Sequence, residues 1–511
     1  MKVGKNVFFP TKTTISLFLR KERFAKLANR EFVLDKYSKP QICTLPGAAE
    51  LRAELAKSEG TDVRGELALI FDQGTFIETS AYTKRGFSDF FQTEKSCEFE
   101  SVITGYGAVG GKLVFAFAED ASRMGGAIDE RHAKKICDLY ALAISNGAPV
   151  IGIFNSNGVD IFAGTSALAA YGRIMNAVSS ASGVIPQIAL VAGKCIGTSA
   201  AIASMFDITA KVTDAQFYVS SPALTGVEGA QDATVAFVGS LGECASFTRS
   251  IVEFLPSNSS VGVMQADCVD NLNRKLGDVD LSGDAVTPIS VVADNGVFYE
   301  LSSAFAPEAT TVFATLGGVK CGIVATSKNC NSGKITASMA KKIAKFVNLC
   351  SAFNLPVVTL VDSEGLAIDK ENENEFAPAL AKLAFAYASS IVPKVTVIMG
   401  KAIGASFVLL GSKALGADLV YSLDSAEIAA LTADSGVAFA WDKYITEEKT
   451  REDLVGEWKS TVSSPANAAA SGEIDDIIDT NELRARLCSA LLMLSGKNTA
   501  KKCSCRKVFP L

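Results

Sequence analysis

Ala133-Lys-Lys-Ile136 returns 207 residues later as Ala340-Lys-Lys-Ile343, and the register holds on both sides of it. Upstream, Gly110-Gly111 falls on Gly317-Gly318 and Gly126 on Gly333. Downstream, Pro149 falls on Pro356, Gly158 on Gly365 and Pro186 on Pro393. Gly193-Lys194 then meets Gly400-Lys401, while Gly197 and Ser199 meet Gly404 and Ser406, all without a gap. Solenoid repeats recur every ~20–50 residues. A period this long is a duplicated domain, so function is sought in what two similar domains do together.

Each copy spells the same order of elements. In the first, a Gly-Gly turn joins two β-rich runs, 102–109 and 113–118; short runs bounded by turn residues read as strands. A helix is expected over 129–146, with Ile136, Leu139, Tyr140 and Ala143 on one face at i, i+3, i+4, i+7 spacing. Continuous apolar runs at 149–154 and 188–191 read as strands buried on both faces. A glycine turn and a helix of small residues, 197–205, follow. The second copy repeats this with 341–352, 356–361, 394–399 and 404–410. Strands alternating with helices predict an α/β fold with helices packed on each sheet. Asp72-x-Gly-x-Phe-x-Glu78 recurs as Asp294-x-Gly-x-Phe-x-Glu300 and marks the entry to the second copy. The expected organisation is a helical arm over 1–64, one domain over 65–257, a Ser/Asn/Asp/Gly-rich linker over 258–289, and a second domain over 290–511. A charged helix at 447–464 and a closing helix at 481–494 complete it.

Composition narrows the chemistry. The 511 residues are 48% hydrophobic and carry a net charge of −6 without a dense Lys/Arg stripe, which argues against a nucleic-acid partner. Twelve cysteines without a pattern point to a reducing cytoplasm. Cys503-x-Cys505 lies in a basic tail, and one pair without a second pair or a histidine cannot fill a zinc site, so no metal is expected. Runs of ~18 uncharged apolar residues, as a membrane-crossing helix needs, are absent. The chain holds one histidine, His132, so a Ser-His-Asp triad, a histidine metal site or a histidine general-base relay could only be built around that residue. At the start of a helix, His132 reads as a surface or packing residue, and any catalysis leans on backbone groups.

Those groups are expected in the duplicated turn Lys194-Cys-Ile-Gly-Thr-Ser199 and Lys401-Ala-Ile-Gly-Ala-Ser406. A glycine turn opening a helix can present unpaired N–H groups to negative charge. The candidates are the amides of Gly197 and Thr198, and of Gly404 and Ala405. Further donors are expected from the strand-end turns Ser156-Asn157-Gly158 and Ser363-Glu364-Gly365, with Gly126 beside the first. The alternative is that small residues here only let helix pack on sheet.

Gly105-Tyr-Gly-x-x-x-Gly111, Asn146-Gly-Ala-Pro-Val-Ile-Gly152, Ala181-Ser-Gly-Val-Ile-Pro-Gln-Ile188, Phe254-Leu-Pro-Ser-Asn258 and Val392-Pro-Lys-Val-Thr-Val-Ile398 carry a family resemblance. Over about residues 65–495 the chain resembles the carboxyltransferase subunits of biotin-dependent acyl-CoA carboxylases and the α subunits of methylmalonyl-CoA and glutaconyl-CoA decarboxylases. The resemblance implies two tandem crotonase-like domains and a hexamer or mixed oligomer, with each active site shared between the N-domain of one chain and the C-domain of its neighbour. It implies an acyl-CoA held as an enolate at Gly197 and Thr198, and biotin held by its ureido oxygen at Gly404 and Ala405. No Met-Lys biotinylation site occurs beyond Met1-Lys2, so the biotin belongs to a separate carrier. Implied partners are a biotin carboxyl carrier protein with a biotin carboxylase, or a membrane decarboxylase complex to which a cytoplasmic chain is peripheral.

The site loops depart from the family. Asp-Ser-Gly-Gly-Ala-Arg-Ile-Gln-Glu reads here Asn155-Ser-Asn-Gly-Val-Asp-Ile-Phe-Ala163. Ala-Gly-Gly-Ala reads Ile196-Gly-Thr-Ser199, Pro-Gly-Phe-x-Pro-Gly reads Glu364-Gly-Leu-Ala-Ile-Asp369, and Tyr-Gly-Gly-Ala-Tyr reads Ile403-Gly-Ala-Ser-Phe407. Besides an active carboxyltransferase or decarboxylase, two readings stay open. One is an inactive paralogue completing a mixed oligomer. The other is a biotin-independent crotonase-type enzyme using Asp160 and Glu364 as acid and base.

Overall fold

Each Gly-Gly pair closes a two-residue hairpin. The structure is a computed structural model that describes residues 47–57, 62–85, 99–226, 232–277, 279–281, 283–368, 373–497 and 508. Gly110 and Gly111 have φ of 53° and 75°, and Gly317 and Gly318 of 58° and 82°. Two consecutive positive φ angles make the turn whose twist matches the flanking strands, at little cost only for residues without a Cβ. The Asp72 carboxylate clasps the first hairpin, accepting the Gly110 and Gly111 amides at 3.2 and 3.0 Å. Asp294 clasps the second, accepting those of Gly317 and Gly318 at 2.9 Å each. The recurring Asp-x-Gly-x-Phe-x-Glu motif thus has a structural job: its aspartate locks the hairpin of its own copy.

The hairpins start two sheets of identical topology. The first contains β1 (Ile77–Thr79), β2 (Val102–Val109), β3 (Lys112–Glu119), β4 (Val150–Ser156), β5 (Gln187–Ile196), β6 (Ile208–Val212), β7 (Gln216–Tyr218) and β8 (Val235–Gly239). Their order is β1-β2-β3-β4-β5-β6-β8, with β7 also beside β5. The second contains β9 (Phe298–Leu301), β10 (Ala309–Leu316), β11 (Val319–Thr326), β12 (Val357–Ser363), β13 (Lys394–Ile403), β14 (Leu419–Leu423), β15 (Glu427–Ala429) and β16 (Asp476–Ile478). It runs β9-β10-β11-β12-β13-β14-β16, with β15 beside β13. In both, the first three strands are antiparallel and the rest parallel. β12 is buried along its whole length, as a strand covered on both faces must be.

Crossover helices cover the sheets. Glu130–Asn146 buries Ile136, Leu139, Tyr140 and Ala143, the stripe its spacing predicts. Asp129 caps it by accepting the Arg131 and His132 amides, and Gly147 at φ 60° ends it. The second-copy helix, Ala337–Ala352, starts before the expected 341 because Thr336, at the position matching Asp129, supplies the cap. The small-residue helices are shorter than expected, Thr198–Ser204 and Ala405–Leu409. Arg451–Thr461 and Leu483–Leu494 are the charged and closing helices.

Residues 59–511 form one compact unit and residues 1–58 another, described over the helix Ala48–Lys57. Residues 1–46 and 58–61 of the expected N-terminal arm and the Cys503/Cys505 tail lie outside the described residues, while 62–64 begin the helix Asp62–Ile70. Within the larger unit the expected linker is not a free tether. The Ser259 amide donates to Val184, Ala266 donates to Gly318, and Asn354 Nδ2 donates to the Ser259 and Val261 carbonyls, so the segment is stitched to both copies. Its end is helical, Val286–Val292. Phe254 stacks on Phe313 across the copies with centroids 5.1 Å apart. At the end of the helix Leu241–Phe254, Lys112 Nζ donates to the carbonyls of Val252, Glu253 and Leu255, and Lys320 Nζ to those of Glu253 and Phe254. One lysine comes from each copy. Among the described residues no helix is long and apolar enough to cross a membrane.

Candidate functional site: the twin turns

β5 and β13 each run into a glycine that reverses the chain before a short helix. Gly197 has φ 61° and ψ −128°, and Gly404 has φ 56° and ψ −124°, a region closed to residues with a Cβ. The structure corrects the expected donor set here. The Gly197 amide donates to the Tyr218 carbonyl at 3.0 Å, and the Gly404 amide to the Ala429 carbonyl at 2.8 Å. Both are consumed by the short strands β7 and β15. Thr198 and Ala405 are the first helical residues, whose N–H groups have no acceptor one turn earlier. Thr198 is exposed and Ala405 half-buried.

The strand-end turns differ between the copies. Ser156, fully buried, donates its hydroxyl to the Gly126 carbonyl at 2.7 Å and accepts the Gly158 amide at 3.0 Å, while the Asn157 amide reaches the Gly125 carbonyl at 2.8 Å. The expected Gly158 donor is therefore spent inside the protein. Gly126, at φ 71°, lies so close to the Asn155 carbonyl that a Cβ would sit 2.6 Å from it, so it shapes the turn from behind. In the second copy the Glu364 amide donates to Ser332 at 3.3 Å, but the Ser363 hydroxyl is fully buried with no hydrogen-bond partner. Ser406 ties the second short helix to its strand-end turn by donating to the Ser363 carbonyl at 3.1 Å, whereas Ser199 of the first short helix lies 3.3 Å from the hydroxyl of Tyr171 on the helix Thr165–Ala181.

Behind each turn lies a relay that sequence reading missed. The Glu119 carboxyl accepts the Asn155 amide at 2.9 Å, and Asn155 Oδ1 accepts the Lys194 amide at 3.1 Å. In the second copy Thr326 Oγ1 accepts the Asp362 amide at 2.6 Å, and Asp362 Oδ1 accepts the Lys401 amide at 2.8 Å. These residues share the 207-residue offset, which was the signal that could have found them. Burial pushes the Glu119 carboxyl up to about 8. Because its folded value lies above its usual one, the folded state binds more protons, and stability falls as pH rises from about 4.5 toward 8. Glu119→Gln keeps an acceptor for Asn155 without a titrating group. Thermal melts should show the variant equal to the parent at pH 5 and more stable at pH 9, by on the order of a few kcal/mol.

The side chains offered as acid and base are already engaged. Asp160 accepts from Arg85 at 2.9 Å and from the Phe162 amide at 3.0 Å. Glu364 accepts from Lys401 Nζ at 2.7 Å, and that pairing holds its carboxyl below the usual range. His132 is fully buried, its Nδ1 3.3 Å from the Ser101 hydroxyl, and burial drives it down to about 3, so it is a neutral packing residue.

The family model for the carboxyl transferase domain matches residues 57–241 and 240–509. Methylmalonyl-CoA decarboxylase subunit alpha of Propionigenium modestum is 32% identical over 500 residues, covering 91% of this chain and 96% of that protein. The propionyl-CoA carboxylase beta chain of Saccharopolyspora erythraea is 30% identical over 488 residues, covering 87% and 89%. Among solved structures, the transcarboxylase 12S hexamer with methylmalonyl-coenzyme A and methylmalonic acid bound superposes with a TM-score of 0.82 at 27% identity, covering 96% of this chain and 99% of that one.

Proposed function

This chain belongs to the carboxyl transferase domain family, and on that premise we propose that it moves a carboxyl group between biotin and the α-carbon of an acyl-CoA. Relatives named for methylmalonyl-CoA and propionyl-CoA support that substrate class. The first copy, 65–257, takes the acyl-CoA and the second, 290–511, the biotin. Charge develops on the thioester oxygen as the α-carbon becomes an enolate, and the Thr198 amide is the first-copy donor that meets it. A preorganised N–H aimed at developing charge stabilises the transition state by about 2.7–4 kcal/mol.

The second copy fits the ureido group. The Ala405 amide lacks a helical acceptor, and behind the same turn the Ser363 hydroxyl is buried without a partner while its carbonyl accepts from Ser406. The helix-start amide left open at the same turn in both copies, at Thr198 and at Ala405, is the observation that carries the reading. Biotin on a carrier chain would supply the carboxyl group and a basic nitrogen for the α-proton. No protein histidine is required, in keeping with the neutral His132. The engaged state of Asp160 and Glu364 speaks against a biotin-independent acid–base enzyme. Assembly follows the relatives: a hexamer, working with a biotin carrier chain and either a biotin carboxylase or a membrane decarboxylase complex. The purified chain should decarboxylate methylmalonyl-CoA only when biotin or biocytin is added, read by carbon dioxide release. Turnover that continues without biotin, or none with it, rejects the proposal.

A further inference from the structure

Lys194 and Lys401 hold the same place in the two copies, yet only Lys401 is surrounded by carboxylates. Lys401 pairs with Glu364 at 2.7 Å. Glu427 lies opposite it in the strand register, Asp362 accepts its amide, and both carboxylates act on its ammonium. At the positions matching Glu364 and Asp362 stand Asn157 and Asn155, and in the strand register opposite Lys194 stands Gln216 where Lys401 has Glu427. Gln216 is the strand-register partner of Lys194, and Asn155 accepts its amide. Every carboxylate that neutralises the second-copy lysine is therefore an uncharged amide in the first copy.

The geometry follows the chemistry. Glu364 turns toward its lysine, whereas the Asn157 amide lies over Gly125, so close that a Cβ there would sit 2.2 Å from its nitrogen. Gln216 Oε1 accepts the Tyr218 hydroxyl at 3.3 Å. Among the described residues Lys194 Nζ has neither an ion pair nor a hydrogen bond, and its side chain is exposed. A cation so placed, with the protein's own anions removed from around it, is available to an anion brought by a ligand.

We propose that the Lys194 ammonium receives the carboxylate of a malonyl-type thioester bound at the Thr198 turn. The inference rests on the function proposed above and adds the residue that selects carboxylated over plain acyl groups. The phosphates of coenzyme A are the other anion on the same ligand, but the pantetheine arm sets them many bonds from the thioester. Lys194 is only four residues from Thr198, at the thioester end. The contact is made to the carboxylate before carbon dioxide leaves and weakens as it leaves. It therefore acts on binding rather than on the chemical step.

The test is equilibrium binding of methylmalonyl-CoA and propionyl-CoA, by calorimetry, to the parent chain, Lys194→Met and Gln216→Glu. The parent should prefer methylmalonyl-CoA. Lys194→Met should weaken that ester about tenfold, the scale of one hydrogen bond to a charged group, and leave propionyl-CoA within about twofold. Gln216→Glu should reproduce the loss by restoring the neutralising carboxylate while Lys194 stays in place. With biocytin, KM should rise and kcat should not fall. Equal losses for both esters would assign Lys194 to the coenzyme A phosphates and overturn the proposal, as would no loss. A parent that turns over with biotin yet binds both esters alike sinks this inference alone. A parent that binds neither ester sinks the proposed function with it.

Discussion

Thr198→Pro should lower kcat for biotin-dependent decarboxylation by about 10²–10³-fold, the cost of one oxyanion donor, while leaving the melting temperature nearly unchanged. Proline removes the N–H and little else at this position. Thr198 is the first residue of its helix, where proline's fixed φ is already right and no internal hydrogen bond is lost. Proline also restricts the residue before it to extended conformations. Gly197 at φ 61°, ψ −128° is the mirror image of an extended residue, which achiral glycine adopts as readily as the original. Thr198→Ala keeps the amide and should keep the activity. Ala405→Pro, the matching change in the second copy, should also cut turnover and raise the biocytin concentration needed to reach it. Full activity in both proline variants would show that the free amides do no catalytic work.

The largest effect on stability is expected at the second hairpin clasp. Arg484 is fully buried, and its guanidinium donates to Asp294 at 2.6 Å, to the Val292 carbonyl and to the Asn271 carbonyl at 3.2 Å, with Asp270 also 3.2 Å away. Asp294→Ala removes the main anion from this charge and the acceptors from the Gly317 and Gly318 amides together. Breaking a buried pair from one side costs about 3–5 kcal/mol, and here Asp270 alone is left to balance the buried guanidinium. The matching clasp, Asp72 with Arg249 at 2.8 Å, has both side chains 30% exposed, so water takes over the freed partners. Urea unfolding of the two alanine variants should place Asp294→Ala well below Asp72→Ala. Equal midpoints would mean the buried clasp adds nothing to its exposed twin.

The 207-residue echo made the tandem sheets legible, since glycines and prolines that punctuate turns survive where side chains drift. The helix stripe at Ile136, Leu139, Tyr140 and Ala143 was readable for the same reason that it is buried. The donors were not. β7 and β15 are three residues each, too short to show a period, and they sit beside the ends of β5 and β13, where they take the Gly197 and Gly404 amides. Nor could sequence show Asp160 held by Arg85, because the two are 75 residues apart and Arg85 lies in no recognisable motif. The replaced loop residues are engaged within the protein, for Asp160 has a cation of its own and Glu364 belongs to a lysine.

The two lysines gripping the last carbonyls of Leu241–Phe254 bear on how such a chain could have arisen. A solitary ancestral copy could have brought only one ammonium to that helix end, the other arriving with its sister after gene fusion. Once both were in place, cutting the gene in two would strip each product of a contact it had come to require. One helix end held by a lysine from each copy thus makes the two halves, with their two ligand turns, mutually dependent for that contact.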